Sequence, residues 1–174
     1  ECVDETITGG AGVDTLRLDA SGNYNFTGFS HISNIEKIAI NANAAQSSLT
    51  VVDGIISSSS LEIINSTGSA ISNSVNIIAS ALTSTKAINV SATNFNGNDT
   101  MTGGAGADTI NGGAGNDTIT GGAGVDSIDG GDGNNVFVYT AASECVDETI
   151  TGGTGLLDTL RLDASGNYNF TGFS

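Results

Sequence analysis

Four consecutive nine-residue phrases at residues 103–138 constrain this chain more than any other feature in it. They read GGAGADTIN (103–111), GGAGNDTIT (112–120), GGAGVDSID (121–129) and GGDGNNVFV (130–138). The first six residues of each suit a tight turn. The last three suit a short strand whose middle side chain points inward and whose flanks point outward. Met101, Ile110, Ile119, Ile128 and Phe137 then form an inward column. Each phrase is half a coil, so turns alternate between two sides and repeat n stacks on repeat n+2, about 4.8 Å away. The fold class expected is all-β: a parallel β-roll, or β-solenoid, built on GGxGxD turns.

Such turns suit a hard cation. Calcium takes six to eight oxygens in a flexible shell, and glycines let backbone carbonyls turn inward through positive φ. The aspartate adds a charged oxygen. Stacking pairs Asp99 with Asp117, Asp108 with Asp126, and Asp117 with Asn135, which stands where the fourth aspartate would be. The carbonyls of Gly104, Gly106, Gly113, Gly115, Gly122 and Gly124 are the expected co-ligands. Without a cation, two carboxylates about 5 Å apart repel by about 1 kcal/mol in water and more in a drier setting. The inward column is too thin to offset this and the entropy of so many glycines. Binding and folding of the segment are therefore expected to be coupled. A disordered Gly-Asp linker is the competing reading, but a linker has no reason to keep its aliphatic residues in register.

Nineteen acidic residues against four basic ones give a formal charge of −15. Phosphate binding needs clusters of Lys and Arg, so nucleic acid is not a natural partner. Divalent cations are a better match, although Asp19, Asp53 and Asp163 lie outside the turns and read as solubility charges. Twenty-five glycines and no proline argue against a helical bundle and a Pro-rich stalk. No apolar run approaches the ~18 residues of a membrane span, and no signal peptide is expected at the start.

A longer repeat contains the short one. Residues 144–174 nearly restate residues 1–30; Ala11 becomes Thr154, and Val13 becomes the pair Leu156-Leu157. The offset makes a unit of about 143 residues, and the chain reads as a window on a tandem array. Residues 1–30 open a unit and carry the nonapeptide GGAGVDTLR (9–17), with Asp14 in the ligand place and the degenerate DETIT, with Glu5, before it. In the second copy the extra leucine is expected to push Asp158 one residue out of register. Residues 31–93 lack the motif but carry apolar runs at Ile35–Ile40, Leu49–Val52, Leu61–Ile64, Val75–Ile78 and Ile88–Val90. Their spacing is too short for crossover helices and suits a metal-free solenoid spacer, with helix a rival reading over 75–82. The segments are then 1–30, 31–93, 94–143 (the calcium-type roll) and 144–174, in one continuous right-handed solenoid.

These residues resemble the RTX, or haemolysin-type, calcium-binding proteins of Gram-negative bacteria and cyanobacteria, whose nonapeptide is G-G-x-G-x-D-x-U-x. The match covers residues 94–138 and 9–17; the serine-rich middle is similar to spacers of bacterial S-layer and giant surface proteins. The resemblance implies Ca2+ as the bound ion, type I secretion of an unfolded chain, and folding outside the cell, at an extracellular or cell-surface location. Such proteins generally avoid cysteine, and this chain departs from them at Cys2 and its copy Cys145. Cys2 and Cys145 lie tens of ångströms apart along a solenoid, too far for a disulfide, which needs Cα atoms within about 7 Å. A buried core thiol and a disulfide between neighbouring chains both stay open.

Nothing reads as catalytic. His31 is the one histidine and stands among Ser and Asn, and no G-x-S-x-G surrounds any serine. The function expected is a calcium-stabilised structural tandem repeat of a large extracellular bacterial protein: an S-layer, surface filament, matrix fibre or adhesin stalk that associates with itself. The alternative is a secretion and folding module of an exported RTX enzyme or toxin. Glycan contact stays open. Ice binding through Thr-x-Thr is disfavoured, because at most two neighbouring coils carry that pair.

Overall fold

A computed structural model describes residues 6–19, 22–27, 32–41, 47–56, 58–66, 70, 72–91, 95–145, 147–166 and 168. Within them the chain winds as a β-solenoid whose successive strands alternate between two parallel sheets. The first sheet stacks Asn23–Asn25, Ser47–Thr50, Val75–Ile78, Thr100–Thr102, Thr118–Thr120, Val136–Tyr139 and Thr159–Leu162. The second stacks Thr15–Leu18, Lys37–Ile40, Ser60–Asn65, Ala87–Ser91, Thr109–Asn111, Ser127–Asp129 and Thr149–Thr151. A small separate pair joins Ile7–Thr8 to Ile32–Ser33. Strand-forming Val, Ile and Thr alternate with outward polar residues along these stretches, the pattern a half-buried strand requires.

The strands of the roll and of the spacer share both sheets; the expected boundary between 93 and 94 lies outside the described residues. Val75–Ile78 is a strand, which removes the helical alternative at its start. Met101, Ile119 and Phe137 stack in register in the first sheet, Ile110 and Ile128 in the second, and all five are buried. That column is one side chain per half coil. The spacer's core is much thicker, with Leu49, Val51, Ile55, Ile56, Leu61, Ile63, Val75, Ile77, Leu82, Ile88 and Val90 all buried in the core cluster.

The two copies of TLRL occupy opposite sheets. Thr15–Leu18 ends the second sheet and pairs with Lys37–Ile40 after it. Thr159–Leu162 ends the first sheet and pairs with Val136–Tyr139 before it. One unit of the long repeat therefore contains an odd number of half coils, a phase that strand spacing in the sequence did not reveal.

Candidate calcium-binding turns

Each turn delivers its aspartate to the residue just before a strand, where the side chain folds back under its own glycines. The aspartates form two buried columns. In the first, the Val75 N–H donates to Asp99 Oδ1 (2.7 Å), Asp99 N–H to Asp117 Oδ1 (2.8 Å), Asp117 N–H to Asn135 Oδ1 (2.9 Å) and Asn135 N–H to Asp158 Oδ1 (2.8 Å). In the second, Ile88 N–H donates to Asp108 Oδ1 (2.8 Å), Asp108 N–H to Asp126 Oδ1 (2.8 Å) and Asp126 N–H to Glu148 Oε2 (2.9 Å). Stacking is by 18 residues inside the roll, so the pairs Asp99–Asp117, Asp108–Asp126 and Asp117–Asn135 do come together.

One carboxylate oxygen holds the stack and the other is left over. Oδ2 of Asp99, Asp117 and Asp126, and Oε1 of Glu148, are buried without a hydrogen-bond partner. Asp108 differs, its Oδ2 accepting from Gly104 N–H at 2.7 Å. Orphaned anionic oxygens are costly in a dry interior. Burial pushes Asp99 up to about 7, with the charge of Asp117 adding and the hydrogen bond from Val75 opposing. Burial likewise lifts Asp117 and Asp126 to about 6, and raises Asp108. Glu148 rises to about 7, from burial first and the neighbouring Asp126 second.

These oxygens fit a hard cation. Among the described residues no cluster of three or more His, Cys, Asp or Glu forms, so any site combines few carboxylates with backbone carbonyls, a donor set calcium accepts. Asp99, Asp108, Asp117 and Asp126 would hold it, with carbonyls of the glycine turns, and the ion would supply the positive charge that their burial lacks. Gly104 and Gly113 each already accept one backbone hydrogen bond at their carbonyl, from Ala123 and Asp132, leaving a second lone pair. Gly113, Gly115, Gly122 and Gly124 take positive φ as the turn chemistry requires, whereas Gly104 and Gly106 are outside that group. At Gly106 the requirement is close approach instead, a Cβ there overlapping the Lys86 carbonyl.

Asn135 keeps only half the aspartate role. Its Oδ1 must face the Asp117 N–H, which turns Nδ2 toward Gly152 O at 3.2 Å. A donor thus stands where Asp126 presents Oδ2. Asp158, expected to fall out of register, is in register: Thr159 pairs with Val136 as Thr118 does on its other side. The extra residue bulges outward at Leu156 and Leu157, 99% and 70% exposed, and both of their N–H groups donate to Asn134 Oδ1. Asp14 also sits in a carboxylate column, its N–H donating to Glu36 Oε2 (3.0 Å) and its own Oδ2 buried without a partner.

Three features escaped sequence reasoning. Glu148 and Glu36 close the ladder because a longer side chain can reach a neighbour offset by 22 residues. In the spacer, the register puts Val75 opposite Asp99 and Ile88 opposite Asp108, with Leu61 next in line. An aliphatic side chain there replaces carboxylate and cation alike. The DETIT at 147–151 was the signal for Glu148; nothing in the sequence marked Glu36. Cys145 is buried, with its thiol raised to about 11 by burial and by Glu144 and Glu148. Cys2, Glu5 and His31 lie outside the described residues. Among the described residues no helix is long and apolar enough to cross a membrane.

A parallel coil with backbone-lined turns and buried aspartate columns defines a calcium-type β-roll. The family model of the RTX calcium-binding nonapeptide repeat, in four copies, matches residues 4–23, 94–128 and 102–137. These segments match RTX nonapeptide repeats, and calcium is the ion such repeats bind. No curated protein and no solved structure matches the chain.

Four substitutions test the turns. Asp117→Asn copies Asn135, so the hydrogen bond to Asp99 N–H survives while the ligating oxygen is lost. We expect weaker calcium binding by calorimetry, yet a calcium-free fold at least as stable as wild type. Asp117→Ala loses both and should cost about 1–3 kcal/mol more, because the buried Asp99 N–H is orphaned. At the glycines, a Cβ on Gly122 (φ 102°) would overlap the Gly104 carbonyl, whereas Gly10 (φ 104°) faces open space. Gly10→Ala should cost only about 1–2 kcal/mol of backbone strain. Gly122→Ala should lower the urea midpoint in calcium markedly more; equal losses would show that the coils do not pack this closely.

Proposed function

We propose that this chain is a calcium-stabilised structural repeat of a large extracellular bacterial protein, such as a surface layer, matrix fibre or adhesin stalk, with a mechanical rather than catalytic role. The observation that carries this reading is continuity. Two sheets run from the first copy of the long repeat into the second without a break, so repeating the unit simply adds length along one axis. Calcium locks the thin-cored roll, and the thick apolar core holds the spacer without it. RTX repeat proteins are typically secreted, which supports an extracellular setting where calcium is abundant. Near-identical long copies favour this over a secretion module of an exported enzyme, which has no use for them. Electron microscopy of the purified protein in millimolar calcium, and again after chelation, tests the reading. Calcium-dependent filaments or sheets are expected; dispersed particles in both conditions would favour the secretion module.

A further inference from the structure

The second carboxylate column holds a pair that the nonapeptide pattern does not account for. Asp108 has both of its oxygens engaged, Oδ1 by Ile88 N–H and Oδ2 by Gly104 N–H. Asp126 and Glu148 do not. The Asp126 N–H holds Glu148 Oε2 at 2.9 Å, while Asp126 Oδ2 and Glu148 Oε1 are left without a hydrogen-bond partner. Asp126 is 2% exposed and Glu148 1%. A third oxygen belongs with them: Tyr139 is 5% exposed, and its hydroxyl is also buried without a partner.

The register brings the phenol to this place. Ile119 pairs with Phe137, and counting on by two puts Tyr139 above Gly121, on the same inner side as Phe137. Gly121 is the glycine against which Asp126 folds back, since a Cβ there would overlap Asp126 Oδ2. Tyr139 therefore stands one coil above the free oxygen of Asp126, and the turn that it opens closes at Glu148. That turn runs over residues 139–148, against 121–126 in the roll, and the extra length admits a ring where the roll has only glycine. Burial raises the proton affinity of Tyr139 and the charge of Glu148 raises it further, so the phenol stays neutral and lies within the field of that carboxylate.

Two buried carboxylates need a counter-charge, and no side chain supplies it. The chain's four Lys and Arg are committed elsewhere: Arg17 to Asp19, Lys37 to Glu62, Lys86 to the Ser58 carbonyl and Arg161 to Asp163. Cys145 is buried nearby, but its raised thiol keeps its proton, and among the described residues no three of His, Cys, Asp and Glu group together. The donors are oxygen alone, the set that a hard cation takes.

We propose that Asp126 Oδ2, Glu148 Oε1 and the Tyr139 hydroxyl oxygen hold a further calcium ion, with backbone carbonyls and water completing its shell. One divalent cation cancels the two carboxylate charges, and the phenol adds an oxygen without adding charge. The family match over the roll ends at residue 137, so Tyr139 and Glu148 lie beyond its nonapeptides. The inference rests on the calcium-stabilised reading above and gives one ion a place and a task. Residue 144 opens the second copy of the long repeat, so an ion held between Asp126 and Glu148 ties the roll to the copy that follows.

Native mass spectrometry of the full chain, titrated with calcium, counts the ions. Glu148→Gln keeps an acceptor for the Asp126 N–H, so circular dichroism should show the wild-type fold while the saturated protein carries one ion fewer. Tyr139→Phe should keep the count but weaken that ion's binding by roughly tenfold or more, the loss typical of removing one supporting group. Asp147→Asn, exposed beside Glu148 and at a left-handed φ of 63° that asparagine tolerates, should change neither. Terbium in place of calcium gives a second readout, because a tyrosine beside the ion sensitises its emission. Glu148→Gln should lose most of the tyrosine-excited emission with Tyr139 still present. An unchanged ion count in folded Glu148→Gln overturns the site, and the calcium-stabilised function stands if the wild type binds calcium elsewhere. A wild type that binds no calcium overturns both. If Glu148→Gln fails to fold, Tyr139→Phe decides: undiminished affinity and undiminished terbium emission would show that no ion lies beside the phenol.

Discussion

Chelating calcium from the folded chain will dissolve the roll between Asp99 and Tyr139 and leave the spacer standing. The reason is a difference in core thickness between segments that share the same sheets. Each strand of the roll puts one side chain into the inward column, Met101, Ile119 and Phe137 on one side and Ile110 and Ile128 on the other, and only the last strand, Val136–Tyr139, buries more. Against that stand Asp99, Asp117, Asp126 and Glu148, each with an orphaned oxygen and a proton affinity raised by burial. Keeping these groups ionised in the calcium-free fold is therefore unfavourable, since each pH unit of raised proton affinity corresponds to about 1.36 kcal/mol. The spacer has no such cost, since Leu61, Val75 and Ile88 fill the corresponding places. Hydrogen exchange is the measurement. In chelator, amides of Thr100–Thr102, Thr118–Thr120 and Ser127–Asp129 should lose protection by orders of magnitude, while those of Lys37–Ile40 and Ser60–Asn65 keep most of theirs. Uniform loss would mean that spacer and roll unfold as one unit; uniform retention would mean that the ion is not needed for folding.

Acid should substitute for calcium. Asp99 and Glu148 are raised to about 7, and Asp117 and Asp126 to about 6, from ordinary values near 4. The calcium-free fold thus binds more protons than the unfolded chain between about pH 4 and 7. Its stability is fully present below the unfolded-state values, and is lost as pH rises through the folded-state values. Titrating the chelated protein from pH 7.5 down to about 4 should therefore restore strand signal in far-ultraviolet circular dichroism, opposite to ordinary acid denaturation. The same protons compete with the cation, so calcium affinity should fall by roughly tenfold per pH unit for each carboxylate that must lose one full proton. A calcium-free protein that instead loses structure steadily on acidification would show that the carboxylates are not buried as the fold requires. Asp117→Asn should flatten part of the pH response, because an amide cannot titrate.

Much of this was legible from residues 103–138 alone. A nine-residue period with glycines, one aspartate and one aliphatic residue leaves a stacked coil as the solution that buries the aliphatic and brings the aspartates into line. The spacer's strands were mostly legible too, since runs such as Leu61–Ile64 and Val75–Ile78 are too closely spaced for crossover helices, although only the structure removed the helical alternative at Val75–Ile78. Asp158 was not. Counting residues assumes that an insertion shifts whatever follows, but hydrogen bonding within the sheet holds Thr159 against Val136, and the surplus leucine goes to solvent, where it disturbs least. Asn135 reads in sequence as a weaker ligand; only the direction of the Asp117 N–H shows that its oxygen is already committed.

By itself, the sequence determined the coil, its ion and its repeat, because periodicity, glycine content and charge are local properties that every copy restates. Tertiary structure alone decided which oxygen of each aspartate supports the stack and which is left over. It also decided that Glu36 and Glu148 complete the ladders, and that the two TLRL segments lie in opposite sheets. Those outcomes depend on the residues that each coil spends on its turns. That length varies from 18 in the roll to more elsewhere, and it becomes a phase only when the coils are stacked.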